Sequence, residues 1–191
     1  TFPPGYYYTA ETGFVKYYRP KWEDETLAVE ELDLKAIRDT LSEGVRKRLM
    51  SDVPIGVLLS GGLDSSLTSS IASRYMKEMG KTLHSFSIGL DAVAPDAKAA
   101  RKVAEFLGTQ HHEIHFTIEQ GIEILDKLIW HLETYDVTSV RASTPMYFLS
   151  KAITDMGIKV VLSGEGADEI FGGYLYFRNA PSVEDFQKET I

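Results

Sequence analysis

The sequence predicts an α/β fold, a doubly wound parallel sheet with helices on both faces. Short apolar runs alternate with amphipathic stretches of helical period along most of the chain. The runs are apolar throughout, which is typical of strands that are covered on both sides. Two of them lead directly into glycine-rich segments, as strands do at the ligand-binding edge of such sheets.

The N-terminal stretch does not follow this alternation. Residues 1 to about 25 are rich in aromatic and turn-forming residues, which predicts a short β-hairpin without a core of its own. Such a hairpin needs a larger body to pack against. We therefore interpret residues 1–25 as the C-terminal end of a preceding domain with its linker, and residues 26–191 as the N-terminal part of a second domain.

The remaining elements follow from the spacing of apolar residues. An amphipathic helix is predicted by apolar residues that recur every three or four positions, namely Leu34, Ile37, Leu41, Val45 and Leu49. Apolar runs predict strands at residues 55–59, 83–88, 112–116 and 158–162. Helical spacing predicts the intervening helices through residues 67–75, 100–107, 122–132 and 146–156, with Pro145 in the first turn of the last one.

Composition limits the classes of function. The chain of 191 residues has no apolar run long enough to cross a bilayer, so we expect no membrane partner. A net charge of −8 disfavours nucleic-acid binding, which needs a surplus of Lys and Arg on one face. The absence of cysteine excludes a cysteine nucleophile from this chain and fits a cytoplasmic location.

The first candidate site is the segment Ser-Gly-Gly-Leu-Asp-Ser-Ser, which follows a predicted strand and opens a predicted helix. Adjacent glycines let the backbone approach a phosphate, and the helix N-terminus offers unpaired amides. A carboxylate among phosphates requires a divalent cation between them, so we interpret Asp64 as a Mg²⁺ ligand. Without further context, a glycine turn with a serine-capped helix explains the segment equally well. The candidate phosphate-binding residues are Ser60, Gly61, Gly62, Asp64, Ser65 and Ser66.

A second glycine-rich cluster, Ser-Gly-Glu-Gly-Ala-Asp-Glu at residues 163–169, follows the last predicted strand. We expect the two strands to lie side by side, with both clusters at the C-terminal edge of one sheet. Asp64 and Asp168 are then candidates to share one or two Mg²⁺ ions. The alternative is a solvated acidic turn. The motif continues in Phe-Gly-Gly-Tyr, which predicts a tight turn between bulky residues.

The first cluster is neither a Walker loop, which ends in Lys-Ser or Lys-Thr, nor a dinucleotide fingerprint. It resembles the pyrophosphate loop of the ATP pyrophosphatase family, whose members cleave ATP between the α and β phosphates. The second cluster, with its Phe-Gly-Gly-Tyr, resembles the asparagine synthetase branch of that family and its relative β-lactam synthetase. The resemblance covers the whole chain: Phe-Pro-Pro-Gly near the start resembles the end of the branch's glutaminase domain, and Arg-Leu-Met-Ser-Asp-Val-Pro-Ile-Gly precedes the loop.

The resemblance implies an adenine nucleotide alpha-hydrolase-like fold of the ATP pyrophosphatase type, with roles for individual residues. It implies that the first loop binds ATP and that Leu59 and Ile88 contact the nucleotide base. Ser163 and Gly164 are implied as further ATP contacts, and Glu165 as a catalytic residue that supports adenylate formation. For Ile88, a place in the strand core explains the spacing equally well.

A third cluster, residues 133–145, places polar and aromatic residues between two predicted helices. Its planar Arg141 guanidinium is well shaped to grip a carboxylate at two points. The segment resembles the asparagine synthetase motif associated with aspartate, which implies Thr138 and Arg141 as substrate-binding residues and Arg141 also as a catalytic one. The alternative is a structural ion pair between Arg141 and Glu133 or Asp136.

The resemblance implies ATP-dependent amidation of aspartate to asparagine, by a ligase that forms a β-aspartyl-AMP intermediate and releases AMP and pyrophosphate. Ammonia would come from glutamine through the separate glutaminase domain. A β-lactam synthetase-like enzyme, or another carboxylate-adenylating amide ligase of the family, is the alternative. A non-catalytic nucleotide-binding module is disfavoured because Asp64, Glu165 and Asp168 are retained.

The resemblance also implies a larger assembly. We expect an N-terminal glutaminase domain in the same polypeptide, residues 1–25 being its end, and a homodimer stays open. The branch continues beyond the stretch seen here with helices that close the site and a catalytic lysine. We therefore expect this chain to be a fragment that makes no asparagine alone.

Overall fold

A computed structural model of the protein describes residues 2–24, 31–90 and 94–190. Within these ranges the strands are β1 (Tyr6–Thr9), β2 (Gly13–Lys16), β3 (Ile55–Leu58), β4 (His84–Gly89), β5 (Gln110–His115) and β6 (Val160–Leu162). The α-helices are α1 (Leu34–Arg48), α2 (Leu63–Glu78), α3 (Pro95–Leu107), α4 (Ile118–Glu123), α5 (Leu125–Leu132), α6 (Val137–Asp155), α7 (Ala167–Phe171) and α8 (Val183–Thr190). Single 3₁₀ turns lie at Lys21–Glu23 and Leu175–Asn179. None of the described helices is long and apolar enough to span a bilayer.

The chain divides into two compact units: residues 36–167, and residues 1–35 together with 168–191. The first unit contains a parallel sheet in the spatial order β5-β4-β3-β6. β3 pairs with β6 in the register Ile55↔Val160 and Val57↔Leu162. The two strands that precede the glycine-rich clusters are therefore neighbours, as the sequence predicts. The assignment of residues 1–25 and 26–191 to two domains stays a prediction.

Helices cover both faces of this sheet because successive residues of β3 point to opposite sides. On one face the buried core combines β3 with α1 and α2, through Val45, Leu49, Ile55, Val57, Ile71, Ala72, Met76, Leu83 and Leu162. On the other face β4 packs against α6, and the buried residues there are Phe86, Leu149, Ile153 and Ile158. The predicted doubly wound α/β class is confirmed.

Helix α3 lies beside α2 and covers the end of β3. Leu59 packs on Ala100 and Ala104, and the Ser73 hydroxyl of α2 donates to the Leu107 carbonyl at 3.1 Å. Pro95 begins α3, where its missing N–H costs no helical bond, and Gly108 ends it in the left-handed conformation.

Two helix predictions are wrong in detail. The single helix predicted through residues 122–132 is two helices, α4 and α5, which meet at Ile124. Gly121 of α4 lies close to the side chains of Phe116 and Thr144, and the break at Ile124 separates α4 from α5. The helix predicted from Pro145 begins eight residues earlier, at Val137, because the Asp136 carboxylate caps it by accepting from Ser139 N at 2.8 Å.

The turn from β3 into α2 depends on close backbone packing. Gly61 has a φ of +83°, a conformation that L side chains rarely adopt. A Cβ at this position would lie 2.5 Å from Ala100 N and 2.6 Å from Ala99 C. The turn therefore rests directly on the backbone of α3, and glycine is required there for both reasons.

Histidines of β4 and β5 lie on opposite faces of the sheet. His111 Nδ1 is 2.9 Å from Ser85 Oγ and its Nε2 is 3.2 Å from Ser87 Oγ. His112, on the other face, stacks on Phe86 with ring centroids 5.0 Å apart and lies 3.0 Å from His84. Each ring therefore serves a different packing layer, as the alternation of a strand requires.

The second unit contains the predicted N-terminal hairpin and a C-terminal aromatic cluster. β1 and β2 pair antiparallel, from Tyr6↔Lys16 to Thr9↔Gly13. Phe186 of α8 packs edge-on against Phe177 at 5.3 Å. The Tyr174 hydroxyl donates to Glu169 at 2.5 Å, and this bond raises the pKa of Tyr174 to about 12. The predicted turn at Phe-Gly-Gly-Tyr is present, with Gly172 at a φ of +62°.

We expect Gly61→Ala to destabilise the protein much more than Gly80→Ala. Gly80 also has a positive φ, but a Cβ there would meet no atom within 4 Å. Backbone strain of about 1–2 kcal/mol applies to both variants, whereas only alanine at position 61 must displace α3, for a total of about 3 kcal/mol or more. Urea unfolding of both variants measures the difference. Equal losses would contradict the contact with α3.

We expect His111 to make the protein less stable in mild acid. Burial lowers the pKa of His111 below its ordinary value of 6.5, so the folded state favours the neutral ring. This contribution is fully present above about pH 6.5 and is lost as the pH falls toward the folded pKa. The free energy of unfolding should fall between about pH 7.5 and about pH 5.5, and His111→Gln should reduce that fall. The exposed His115, changed to Gln, is the control; an equal effect of both variants would contradict the prediction.

Candidate functional site

The two glycine-rich clusters meet at the C-terminal edge of the sheet. β3 ends at Leu58 and β6 ends at Leu162, and their loops follow directly. A Cβ at Gly164 would lie 2.8 Å from the Asp64 carbonyl carbon and 3.0 Å from Ser65 N. The loop after β6 therefore lies in direct contact with the first turn of α2, and no larger residue at position 164 leaves room for that contact.

Hydrogen bonds among its own serines hold the first loop. Ser60 N donates to Ser65 Oγ at 3.2 Å, and the two hydroxyls lie 3.0 Å apart. Gly62 N donates to Ser60 Oγ at 3.3 Å, which closes the turn before α2 begins. Ser60 and Ser65 thus shape the loop as well as offering hydroxyls to a ligand. The Ser66 hydroxyl is buried and has no hydrogen-bond partner among the described residues.

The donor set at this edge fits a nucleotide phosphate with its cation. Gly61 and Gly62 present backbone without side chains, and α2 begins directly after them. Asp64, in the first turn of α2, is exposed and pairs with no cation among the described residues. The described residues hold no group of three or more His, Asp or Glu suited to a metal ion. A Mg²⁺ ion at Asp64 would accordingly need phosphate oxygens to complete its oxygen ligands.

The second loop presents its own acidic residue to solvent. Glu165 is exposed, and its N–H donates to Ser163 Oγ at 3.2 Å. Asp168, the second predicted metal ligand, belongs to the other compact unit, where it lies in α7 and its carbonyl accepts from Gly173 N at 3.0 Å. The roles of Ser163, Gly164, Glu165 and Asp168 stay predictions from the sequence.

The two predicted base contacts have different surroundings. Leu59 is 1% exposed as a whole residue and packs on α3, and its N–H donates to the Phe86 carbonyl at 2.8 Å. Its contact with a nucleotide base stays a prediction. Ile88 is partly buried near the end of β4 and packs against the core beneath α6. Ile88 therefore has a place in the strand core. Its contact with a nucleotide base also stays a prediction.

Thr138 and Arg141 lie in the first two turns of α6, not in a loop between helices. Both are exposed, and among the described residues Arg141 forms no ion pair with Glu133 or Asp136. Pro145 has no N–H, so the Arg141 carbonyl lacks its usual helical donor. Glu133, just before this helix, adopts the left-handed conformation with a φ of 53°. The polar segment is therefore a locally irregular helix end.

The position of α6 places Arg141 beyond the edge of the sheet. Phe148 stacks on Phe116, which directly follows β5, with ring centroids 5.0 Å apart. Phe148 is thus level with the C-terminal end of that strand. α6 leads back toward the start of β6, so its earlier residues extend past the edge. Arg141 lies about two turns, or about 10 Å, beyond Phe148.

The surface behind the first loop is formed by α3, a contact that the sequence pattern does not predict. α3 supplies the backbone that touches Gly61, and Arg101 of α3 forms a two-point ion pair with Glu113 of β5 at 2.7 Å for both bonds. The buried alanines Ala97, Ala100 and Ala104 are the sequence signal of this close approach. Their spacing predicts a helix but not which neighbour it touches.

Comparisons with known proteins agree with the geometry. The family model "Asparagine synthase" matches residues 36–191. Asparagine synthetase [glutamine-hydrolyzing] 1 of Arabidopsis thaliana is 52% identical over 197 residues, covering 100% of this chain and 34% of the relative. The probable asparagine synthetase [glutamine-hydrolyzing] of Schizosaccharomyces pombe is 55% identical over 207 residues, covering 100% of this chain and 37% of the relative. The chain thus spans about a third of the length of these curated relatives.

Solved structures support the fold alone. An NH3-dependent NAD synthetase from Campylobacter jejuni superposes with a TM-score of 0.51 at 19% identity, over 75% of this chain and 61% of the other. A U34-tRNA thiolase from Methanococcus maripaludis superposes with a TM-score of 0.55 at 17% identity, over 84% of this chain and 56% of the other. From the match over residues 36–191 and the identity along its length, the chain belongs to the asparagine synthase family.

Proposed function

We propose that this chain carries the ATP-dependent, asparagine-forming site of a glutamine-dependent asparagine synthetase. The observation that carries the proposal is the contact of Gly164 with Asp64 and Ser65, which joins two loops of different strands into one surface. One loop offers helix-terminal amides and hydroxyls to phosphates, and the other offers the exposed Glu165. The curated relatives, named as glutamine-hydrolysing asparagine synthetases, make aspartate the candidate carboxylate.

In this proposal the protein mainly positions reactants and stabilises charge. A carboxylate is a poor electrophile, so its amidation requires a leaving group. The side-chain carboxylate of aspartate attacks the α-phosphorus of ATP, pyrophosphate leaves at the Ser60–Ser66 loop, and ammonia then displaces AMP from the β-aspartyl adenylate. Asp64 would hold Mg²⁺, and the ion would neutralise phosphate charge.

Arg141 and Thr138 are the proposed aspartate contacts. Their helix turns project beyond the sheet edge, and the Arg141 guanidinium is exposed and has no ion-pair partner among the described residues. A planar guanidinium without an ion-pair partner can donate two hydrogen bonds to the α-carboxylate of aspartate. Arg141 would orient the substrate while its side-chain carboxylate faces the α-phosphate.

Ammonia would come from a glutaminase domain in the same polypeptide, which we propose because the relatives are about three times longer and named as glutamine-hydrolysing. Cysteine is absent from this chain, so a cysteine-type glutaminase would lie outside it. A cytoplasmic location is part of the same proposal. Pyrophosphate release from ATP with aspartate, compared with other carboxylates, tests the reaction; activation by another carboxylate instead of aspartate would redirect the proposal to a related amide ligase.

We expect Asp64→Asn to abolish aspartate-dependent pyrophosphate release while leaving the fold intact. The change removes the negative charge that would hold the cation, yet it keeps the size of an exposed side chain. Asp52→Asn, an exposed carboxylate at the opposite end of β3, is the matched control. Pyrophosphate release and urea unfolding are measured on both variants. Normal release by Asp64→Asn would remove Asp64 from the site.

We expect Arg141→Ala to raise the aspartate requirement far more than the ATP requirement. Loss of a charged two-point contact is worth roughly 2–3 kcal/mol, or about a hundredfold in KM for aspartate. Arg74→Ala, an exposed arginine on α2, is the control. Steady-state kinetics of the polypeptide that includes the glutaminase domain give both constants. Equal changes for the two substrates would place Arg141 outside the aspartate pocket.

A further inference from the structure

The loop at residues 60–66 packs against helix α3, which limits the shapes that the loop can adopt. Leu59 packs on Ala100 and Ala104, and Gly61 rests on the backbone of Ala99 and Ala100. A Cβ at Gly61 would lie 2.5 Å from Ala100 N, so the loop and the helix are in direct backbone contact. Any shift of α3 toward or away from β3 therefore changes the shape of the loop.

The apolar side chains of α3 next to Gly61 are mostly small. Ala97, Ala100 and Ala104 allow close approach but offer single methyl groups, whereas the larger Val103 and Leu107 lie nearer the C-terminal end. The bond from Ser73 to the Leu107 carbonyl holds the C-terminal end of the helix. The part that touches Gly61 lies about two turns earlier and needs a directional contact of its own.

Arg101 supplies that directional contact, directly after Ala100, whose backbone touches Gly61. Its Nε donates to Glu113 Oε1 at 2.7 Å, and Nη2 donates to Oε2 at 2.7 Å. A planar two-point pair fixes both distance and orientation, which a single hydrogen bond does not. The hydrogen bond from Arg101 lowers the pKa of the Glu113 carboxyl, so the carboxylate stays charged at neutral pH.

Glu113 anchors the ion pair on β5, near the C-terminal edge of the sheet where the candidate site lies. It lies opposite Ser87 in the register of β4 and β5, one position before Ile114, which is opposite Ile88. The pair thus joins α3 to the strand beside the one that carries a predicted base contact.

We propose that Arg101 and Glu113 are positioning residues for ATP: their ion pair holds α3 at the distance from β5 at which the Ser60–Ser66 loop accepts phosphates. The proposal rests on the proposed function, because it concerns the same ATP site. Neither side chain needs to touch the nucleotide. Their removal should impair ATP binding without altering the aspartate contacts on α6.

The test compares Glu113→Gln and Arg101→Lys with Glu43→Gln. Glu43 forms a two-point pair with Arg46, at 2.6 Å for both bonds, within α1, so the control removes the same chemistry away from the loop. The ATP dissociation constant, KM for aspartate and urea unfolding are measured in the polypeptide that includes the glutaminase domain. We expect the ATP dissociation constant to rise about tenfold in each α3–β5 variant, with KM for aspartate unchanged. Glu43→Gln should have the ATP dissociation constant and the KM for aspartate of the wild type.

The double variant distinguishes a joint role from two separate ones. If the residues act as one brace, Arg101→Lys with Glu113→Gln should bind ATP no more weakly than either single variant. Additive losses would overturn the proposal, as would wild-type ATP affinity in folded variants that have lost only stability. Arg101→Lys keeps the charge and removes the fork, so it decides the matter even if Glu113→Gln does not fold. Failure of the wild type to bind ATP would overturn the proposed function as well.

Discussion

Backbone contact between loops of different elements is the constraint on which the site depends. Gly61 lies against the backbone of α3, and Gly164 lies against the start of α2. A side chain at either position would overlap main-chain atoms, which cannot move aside as the end of a flexible side chain can. The two glycines thus let three elements meet within van der Waals distance at one edge of the sheet. The exposed polar groups of that edge lie close together because the backbone segments that carry them are in direct contact.

The sheet makes this meeting possible. Parallel pairing of β3 with β6 brings two loops that are about a hundred residues apart in the chain to the same edge of the sheet. A helix follows each of these loops. In a parallel arrangement every loop after a strand faces the same side, so amides of a helix N-terminus and carboxylates of a neighbouring loop converge there. β3 is buried on both faces because a helical layer covers each side of the sheet, which leaves the edge as the accessible surface.

Helix α6 extends past the edge of the sheet. The Asp136 cap starts the helix early, and Pro145 is accommodated inside it at the cost of one backbone hydrogen bond, that of the Arg141 carbonyl. The Thr144 hydroxyl donates to the Val140 carbonyl at 2.8 Å, a bond that leaves the Arg141 carbonyl without a donor and is typical of a bent helix. The exposed guanidinium of Arg141 is therefore presented by a helix end with a defined start and a local irregularity, rather than by a loop.

The sequence by itself determined the alternation of strands and helices, the hairpin at the N-terminus and the two glycine-rich loops, because these depend on local spacing and on backbone conformations open to glycine. It also indicated the family, through motifs of adjacent residues. The start of α6 at Val137 depends on a local contact, the Asp136 cap, which the spacing of apolar residues did not reveal. Tertiary structure alone decided that Leu59 faces the core and that Arg101 pairs with Glu113, because both are contacts between elements whose partners no local pattern specifies.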